Sequence, residues 1–212
     1  VFNVRSKTSQ NLTEDLYDDM DPVFSADGKH IYFSSARTND TLGVDNDRSL
    51  STATNFDIFQ MDFSPRSKVL KRITATPLAN EIHPLPLDSG RLFYLSDANG
   101  IYNRYVAGID SVISFIDTTE HYRYTVQNFP QSDFSRNIDD HDISFRRNKY
   151  ASMHFADGKY RLQVAPMPAI TNDQAFSPAN TQLRQLSAKS YLKDKRNPSQ
   201  PKAAVVAPGT PA

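Results

Sequence analysis

Asp19-Met20-Asp21-Pro22-Val23-Phe24-Ser25-Ala26-Asp27-Gly28-Lys29-His30-Ile31-Tyr32-Phe33-Ser34-Ser35-Ala36-Arg37 is answered further along by Glu81-Ile82-His83-Pro84-Leu85-Pro86-Leu87-Asp88-Ser89-Gly90-Arg91-Leu92-Phe93-Tyr94-Leu95-Ser96-Asp97. Both stretches open with an acid, two residues and a proline, and the prolines Pro22 and Pro84 stand 62 residues apart. Glycine followed by a basic residue comes next, then aromatic-x-Ser, in the same order. A degraded third copy runs from Asp139-Asp140-His141-Asp142-Ile143-Ser144-Phe145 into Lys149–Phe155, with Asp142 where the proline stood. Recurrence at a long period predicts a fold assembled from stacked copies of one supersecondary unit.

The unit reads as strands. Ile31–Phe33, Phe56–Phe63, Leu92–Leu95, Tyr102–Val106, Val112–Ile116 and Tyr160–Val164 are short, aromatic or β-branched, and bounded by turn residues. Asp27-Gly28, Ser89-Gly90, Asn99-Gly100 and Asp157-Gly158 offer the positive φ that tight hairpins need. In Ile31-Tyr32-Phe33 and in Leu92-Phe93-Tyr94-Leu95 both faces carry large side chains. A strand with one wet face would alternate apolar and polar, so these strands are expected to lie between two other sheets. Phe56–Asp62 parallels Gly100–Tyr105, and Leu70-Lys71-Arg72-Ile73-Thr74 closes the first unit. Each unit then has about four strands, the number in a propeller blade. A blade usually takes about 40–45 residues. The longer first unit needs an insertion, and the polar stretch from Thr38 to Asn55 supplies one.

Composition excludes several functions. Lysine plus arginine equals aspartate plus glutamate, 24 against 24, so no excess positive charge is available for nucleic acid. The chain has no cysteine, which removes disulfides and thiolate metal sites. No apolar run approaches the roughly 20 residues of a membrane-spanning helix. The start, Val1-Phe2-Asn3-Val4, has no signal-peptide pattern, which reads as a mature product or an excised piece. Proline and polar residues dominate beyond Pro166. Gln182–Leu192 could make a helical turn or two, and 171–212 is expected to be a disordered or extended tail or linker.

The pattern Asp-x-x-Pro-x-Phe-Ser-x-Asp-Gly-Lys-x-Ile-x-Phe-x-Ser-x-Arg over 19–37, followed by Asp57-Ile58-Phe59 and Leu70-x-Arg72-Ile73-Thr74, resembles the TolB-type propeller repeat. The likeness is strong over 19–74, fair over 81–117 and weak over 139–165. It implies an all-β fold: a partial β-propeller of four-stranded antiparallel blades. Residues 1–18 would end a preceding blade, 19–78 and 79–130 would be blades, and 131–170 a degraded one. By resemblance the chain is expected to be a non-catalytic protein-interaction scaffold of a bacterial cell envelope, periplasmic or associated with the outer membrane. Its partner would be an envelope lipoprotein or outer-membrane protein, with the remaining blades from the same or another chain. The same repeat occurs in prolyl-oligopeptidase propellers, so the gating propeller of a peptidase is an alternative. A structural subunit of a large outer-membrane assembly is another. No cofactor is implied.

The repeat brings Asp19, Glu81 and Asp139 to equivalent places, with Asp21 beside the first. They could form an acidic ring near the propeller axis for a basic peptide or a cation. Capping of loop N–H groups is the plainer account. Asp45 and Asp47 faintly resemble a calcium loop, but Gly43 precedes the acids and the distal glutamate is missing. The five histidines lack ligand spacing. There is no Gly-x-Ser-x-Gly elbow and no glycine-rich phosphate loop.

Overall fold

The computed structural model describes residues 2–38, 40–42, 55–64, 69–88, 90–116, 120–170 and 176–196. The chain is mostly β, in four antiparallel sheets. A short ladder joins β1 (Phe2–Asn3) to β2 (Thr8–Ser9). The first large sheet runs β3 (Asp19–Phe24), β4 (His30–Ser35), β5 (Asp57–Asp62), β6 (Leu70–Arg72), each strand beside the last. The second repeats this meander with β7 (Glu81–Pro86), β8 (Arg91–Ser96), β9 (Asn103–Ile116) and β10 (Glu120–Pro130). The third has β11 (Asp140–Ser144), β12 (Lys149–Ala156) and β13 (Lys159–Pro166).

The repeat is visible in backbone detail. In β3 the pairing register slips between Met20 and Val23, and in β7 between Ile82 and Leu85. The residue carrying each bulge is left-handed: Asp21 and His83 both have φ of 53°. Aspartate and histidine are among the side chains that tolerate this region best. Pro22 and Pro84 follow directly, inside the strand and not at its start. They cost little there because β3 and β7 are edge strands and a bulge leaves a backbone N–H unpaired anyway. Where Asp142 replaces the proline, β11 pairs with β12 in unbroken register.

The large residues of β4 divide between two cores. Ile31 and Phe33 pack with Leu42, Phe59, Met61 and Leu70, with Leu12 laid against them. Tyr32 points the other way and joins Ile58 and Ile73 to Leu92, Tyr94 and Ala107 of the second sheet. Phe93, on the opposite face of β8, meets Tyr150 of the third sheet edge-on at 6.3 Å. So β4 and β8 are each covered on both faces, as their alternation implies.

Three local expectations change. The segments 102–106 and 112–116 belong to one strand, β9, because Ala107-Gly108-Ile109-Asp110-Ser111 contains nothing that turns the chain. Gly90 is not left-handed. It is small because Ile109 O lies 3.2 Å from where a Cβ would stand. Asp157-Gly158 does fulfil its role, with φ of 54° and 76° closing β12 onto β13. The tail is not wholly extended either: Gln182–Arg196 forms a helix, α1. Thr181 caps it by accepting the Arg184 N–H, and the Arg184 guanidinium reaches the carbonyls of Leu78 and Asp97 and the Asp97 carboxylate. That docking replaces the missing apolar anchor. No described helix is long and apolar enough to cross a membrane.

Candidate functional site

The first strands of the three larger sheets, β3, β7 and β11, bring together the third residue of each repeat: Asp21, His83 and His141. β7 lies against both β3 and β11. The Asp21 carboxylate accepts the His83 backbone N–H at 3.1 Å and the Ser34 hydroxyl at 3.2 Å. The His83 carbonyl in turn accepts Nε2–H of His141 at 2.7 Å. A side chain of one sheet thus reaches the left-handed backbone of the next, and the next is tied to the third. His83 Nδ1 lies 3.6 Å from Asp21 and 3.7 Å from Asp140, half-exposed.

His141 is buried, and Tyr150 OH stands 3.1 Å from its Nδ1. Desolvation pushes its pKa down to about 3. The neutral ring donates from Nε2, leaving Nδ1 to accept from Tyr150. The Arg104 guanidinium lies over the rings of Phe93 and Tyr150 and donates to the Gln131 carbonyl. It fills the seam between second and third sheets.

A second polar centre lies in the seam between first and second sheets. Glu81, at the start of β7, is 1% exposed. Its carboxyl lies against that of Asp57, at the start of β5, and is held by Thr74 and Thr76. Arg72 donates to Asp57. Burial raises both carboxyls, and Glu81 is pushed up to about 8. Two buried carboxylates cannot both ionise cheaply. Asp57, beside the guanidinium, takes the negative charge and Glu81 keeps the proton.

Asp19 belongs to a third centre. Arg37, 1% exposed, donates to both oxygens of Asp19 at 2.8 and 2.9 Å, to Asp15 at 3.1 Å and to Ser35 Oγ at 2.8 Å. Its guanidinium also lies over the rings of Tyr17, Phe33 and Phe59. This ties the segment before β3 onto the first sheet. Asp139 accepts the Phe155 N–H at 2.8 Å at the end of β12.

The four acids singled out by the repeat are therefore not gathered around one opening. Asp19 and Glu81 lie in separate networks, around buried Arg37 and beside Asp57, Asp139 caps a strand, and Asp21 alone joins the cluster on the first strands. Asp45 and Asp47 lie outside the described residues. Among the described residues no group of three or more histidines and acids could hold a metal ion. All five histidines fall in strands. His83 and His141 were legible as repeat equivalents of Asp21, although ligand spacing did not find them. A further repeat signal lay in the hydroxyls closing each unit: Thr74 accepts the Ile58 N–H at 2.8 Å, and Ser132 accepts the Arg104 N–H at 2.9 Å.

Compared with protein-family models and with curated proteins, the chain matches none.

Proposed function

We propose that the chain is a run of consecutive blades of a TolB-like β-propeller, serving as a non-catalytic protein-interaction scaffold in a bacterial cell envelope. The observation that carries this reading is the link Asp21 to His83 to His141. It joins the same repeat position in three successive sheets, so each sheet is bound to its neighbour by the same part of the unit. Up-and-down sheets whose first strands lie side by side are what blades around an axis require. The polar groups at these inner ends serve the backbone and each other, which is the arrangement of a rigid frame. Recognition would then fall to the loops and edges that the frame displays. No bond is made or broken in this reading. The partner would be an envelope lipoprotein or an outer-membrane protein, met in the periplasm.

A photo-cross-linking residue placed at Asp27, in the β3–β4 turn, and at exposed Asp140 tests it in intact cells making the parent protein. The expected result is fractionation with the envelope and a cross-link to one envelope protein. A cytosolic location, or hydrolysis of peptide or ester substrates by the purified protein, would overturn it.

A further inference from the structure

We propose that β13 is the docking edge for an extended segment of another polypeptide, one that alternates apolar with acidic side chains and adds a fourth strand to the third sheet. The proposal rests on the scaffold reading and names the edge and chemistry through which it works. Among the described residues the first and second sheets each have four strands and the third has three. Among the described residues nothing pairs with the outer edge of β13.

The register fixes which backbone groups face outward. Asp157-Gly158 makes a two-residue turn between Ala156 and Lys159, which are paired. Exchange of both hydrogen bonds then falls on alternate pairs: Ala156 with Lys159, His154 with Arg161, Ser152 with Gln163, Tyr150 with Ala165. The Met167 N–H donating to the Asn148 carbonyl at 2.9 Å continues the series. The N–H and C=O groups of Tyr160, Leu162 and Val164 therefore point away from β12, into the open edge. β13 keeps unbroken register over eight residues, and its only proline, Pro166, closes it. A long regular edge without a bulge or an internal proline is the kind that accepts another strand.

The side chains say which strand. Tyr160, Leu162 and Val164 share one face and are 64%, 74% and 63% exposed. Lys159, Arg161 and Gln163 share the other, which carries two positive charges. Arg161 already pairs with Asp157 at 2.8 Å, so the face binds carboxylate as it stands. An added strand would set apolar side chains beside Tyr160, Leu162 and Val164, and acids beside Lys159 and Arg161. Main-chain hydrogen bonds would supply affinity and the alternation specificity.

The test uses the whole chain and two probes: a blocked eight-residue peptide alternating valine with glutamate, and the same peptide with lysine for glutamate. Amide hydrogen exchange is followed residue by residue. The glutamate peptide is expected to slow exchange at Tyr160, Leu162 and Val164 by about tenfold or more, leaving Lys159, Arg161 and Gln163, already bonded, unchanged. Leu162→Pro should abolish the effect. Lys159→Glu with Arg161→Glu, which leaves the backbone intact, should switch the preference to the lysine peptide. Equal slowing by both peptides, or no slowing at these amides, overturns the proposal. So does concentration-dependent protection without peptide, which gives the edge to a second copy. A peptide bound elsewhere removes β13 and leaves the scaffold reading standing, whereas cytosolic fractionation of the parent protein removes that reading on its own.

Discussion

Glu81 and His141 set opposite limits on the pH range of the fold. Glu81 carries a proton in the folded chain where an unfolded glutamate has lost it, so between about 4.5 and about 8 unfolding releases a proton. Stability falls as pH rises through that window, by up to about 1.4 kcal/mol per unit. His141 stays neutral in the folded chain where an unfolded histidine is charged, between about 3 and about 6.5. Unfolding takes up a proton there, and stability falls as pH drops. The two slopes cancel between about 4.5 and about 6.5, which predicts a plateau in melting temperature with a fall on either side. Glu81→Gln should flatten the alkaline side and, with the cancelling slope gone, let the acid fall begin at about pH 6.5 and not about 4.5, checked by thermal melts from pH 3 to 9. Arg37 gives a second residue-scale expectation. Replacing it with alanine strands the Asp15 carboxylate in the interior and unpairs the partly exposed Asp19, and should cost about 3 kcal/mol in denaturant melts. The sequence marked Asp19 and Glu81 by their place in the repeat. The same repeat carries Arg37, Asp57 and Arg72. A pattern along the chain does not say that Arg37 meets Asp19, or that Asp57 meets both Glu81 and Arg72, because folding decides which strand ends come near.

Elements were easier to read where the alternation was strong. His30–Ser35 and Arg91–Ser96 carry bulky residues on both faces, and the cores on either side of them follow from that alone. β9 was misread as two strands because Gly108 and Asp110 look like punctuation, although neither occupies a turn. The helix was underestimated for a different reason. Its hold on the sheets is polar, through Arg184 and Thr181, and hydrophobic periodicity does not report polar anchoring. Gly100 is where that anchoring is tested. Its φ is 93°, and a Cβ there would stand 2.1 Å from the Thr181 hydroxyl. Gly100→Ala should destabilise the fold by more than about 1 kcal/mol and release α1, seen as faster amide exchange over Gln182–Arg196.

At the scale of the whole molecule, the described residues leave apolar surface exposed at both ends of the run of sheets. Beside the first sheet, Leu12, Met20, Pro22, Phe24 and Phe33 line a cavity of about 440 Å³. Beyond the third, Phe155, Tyr160, Leu162 and Val164 are exposed. Apolar surface of this extent seldom stays bare. The isolated chain should bind a hydrophobic dye and self-associate through these faces with rising concentration in light scattering, without slowing amide exchange at Tyr160, Leu162 and Val164. A compact monomer that ignores the dye would show that the faces need no cover.

The central claim is that the strands Asp19–Phe24 and Glu81–Pro86 start separate, successive sheets that face each other. Proton–proton contacts in solution NMR test this most directly. The account predicts side-chain contacts from Tyr32, Ile58 and Ile73 to Leu92 and Tyr94, with no Hα–Hα ladder between 19–24 and 81–86. A ladder joining those two segments as neighbours in one sheet would contradict it.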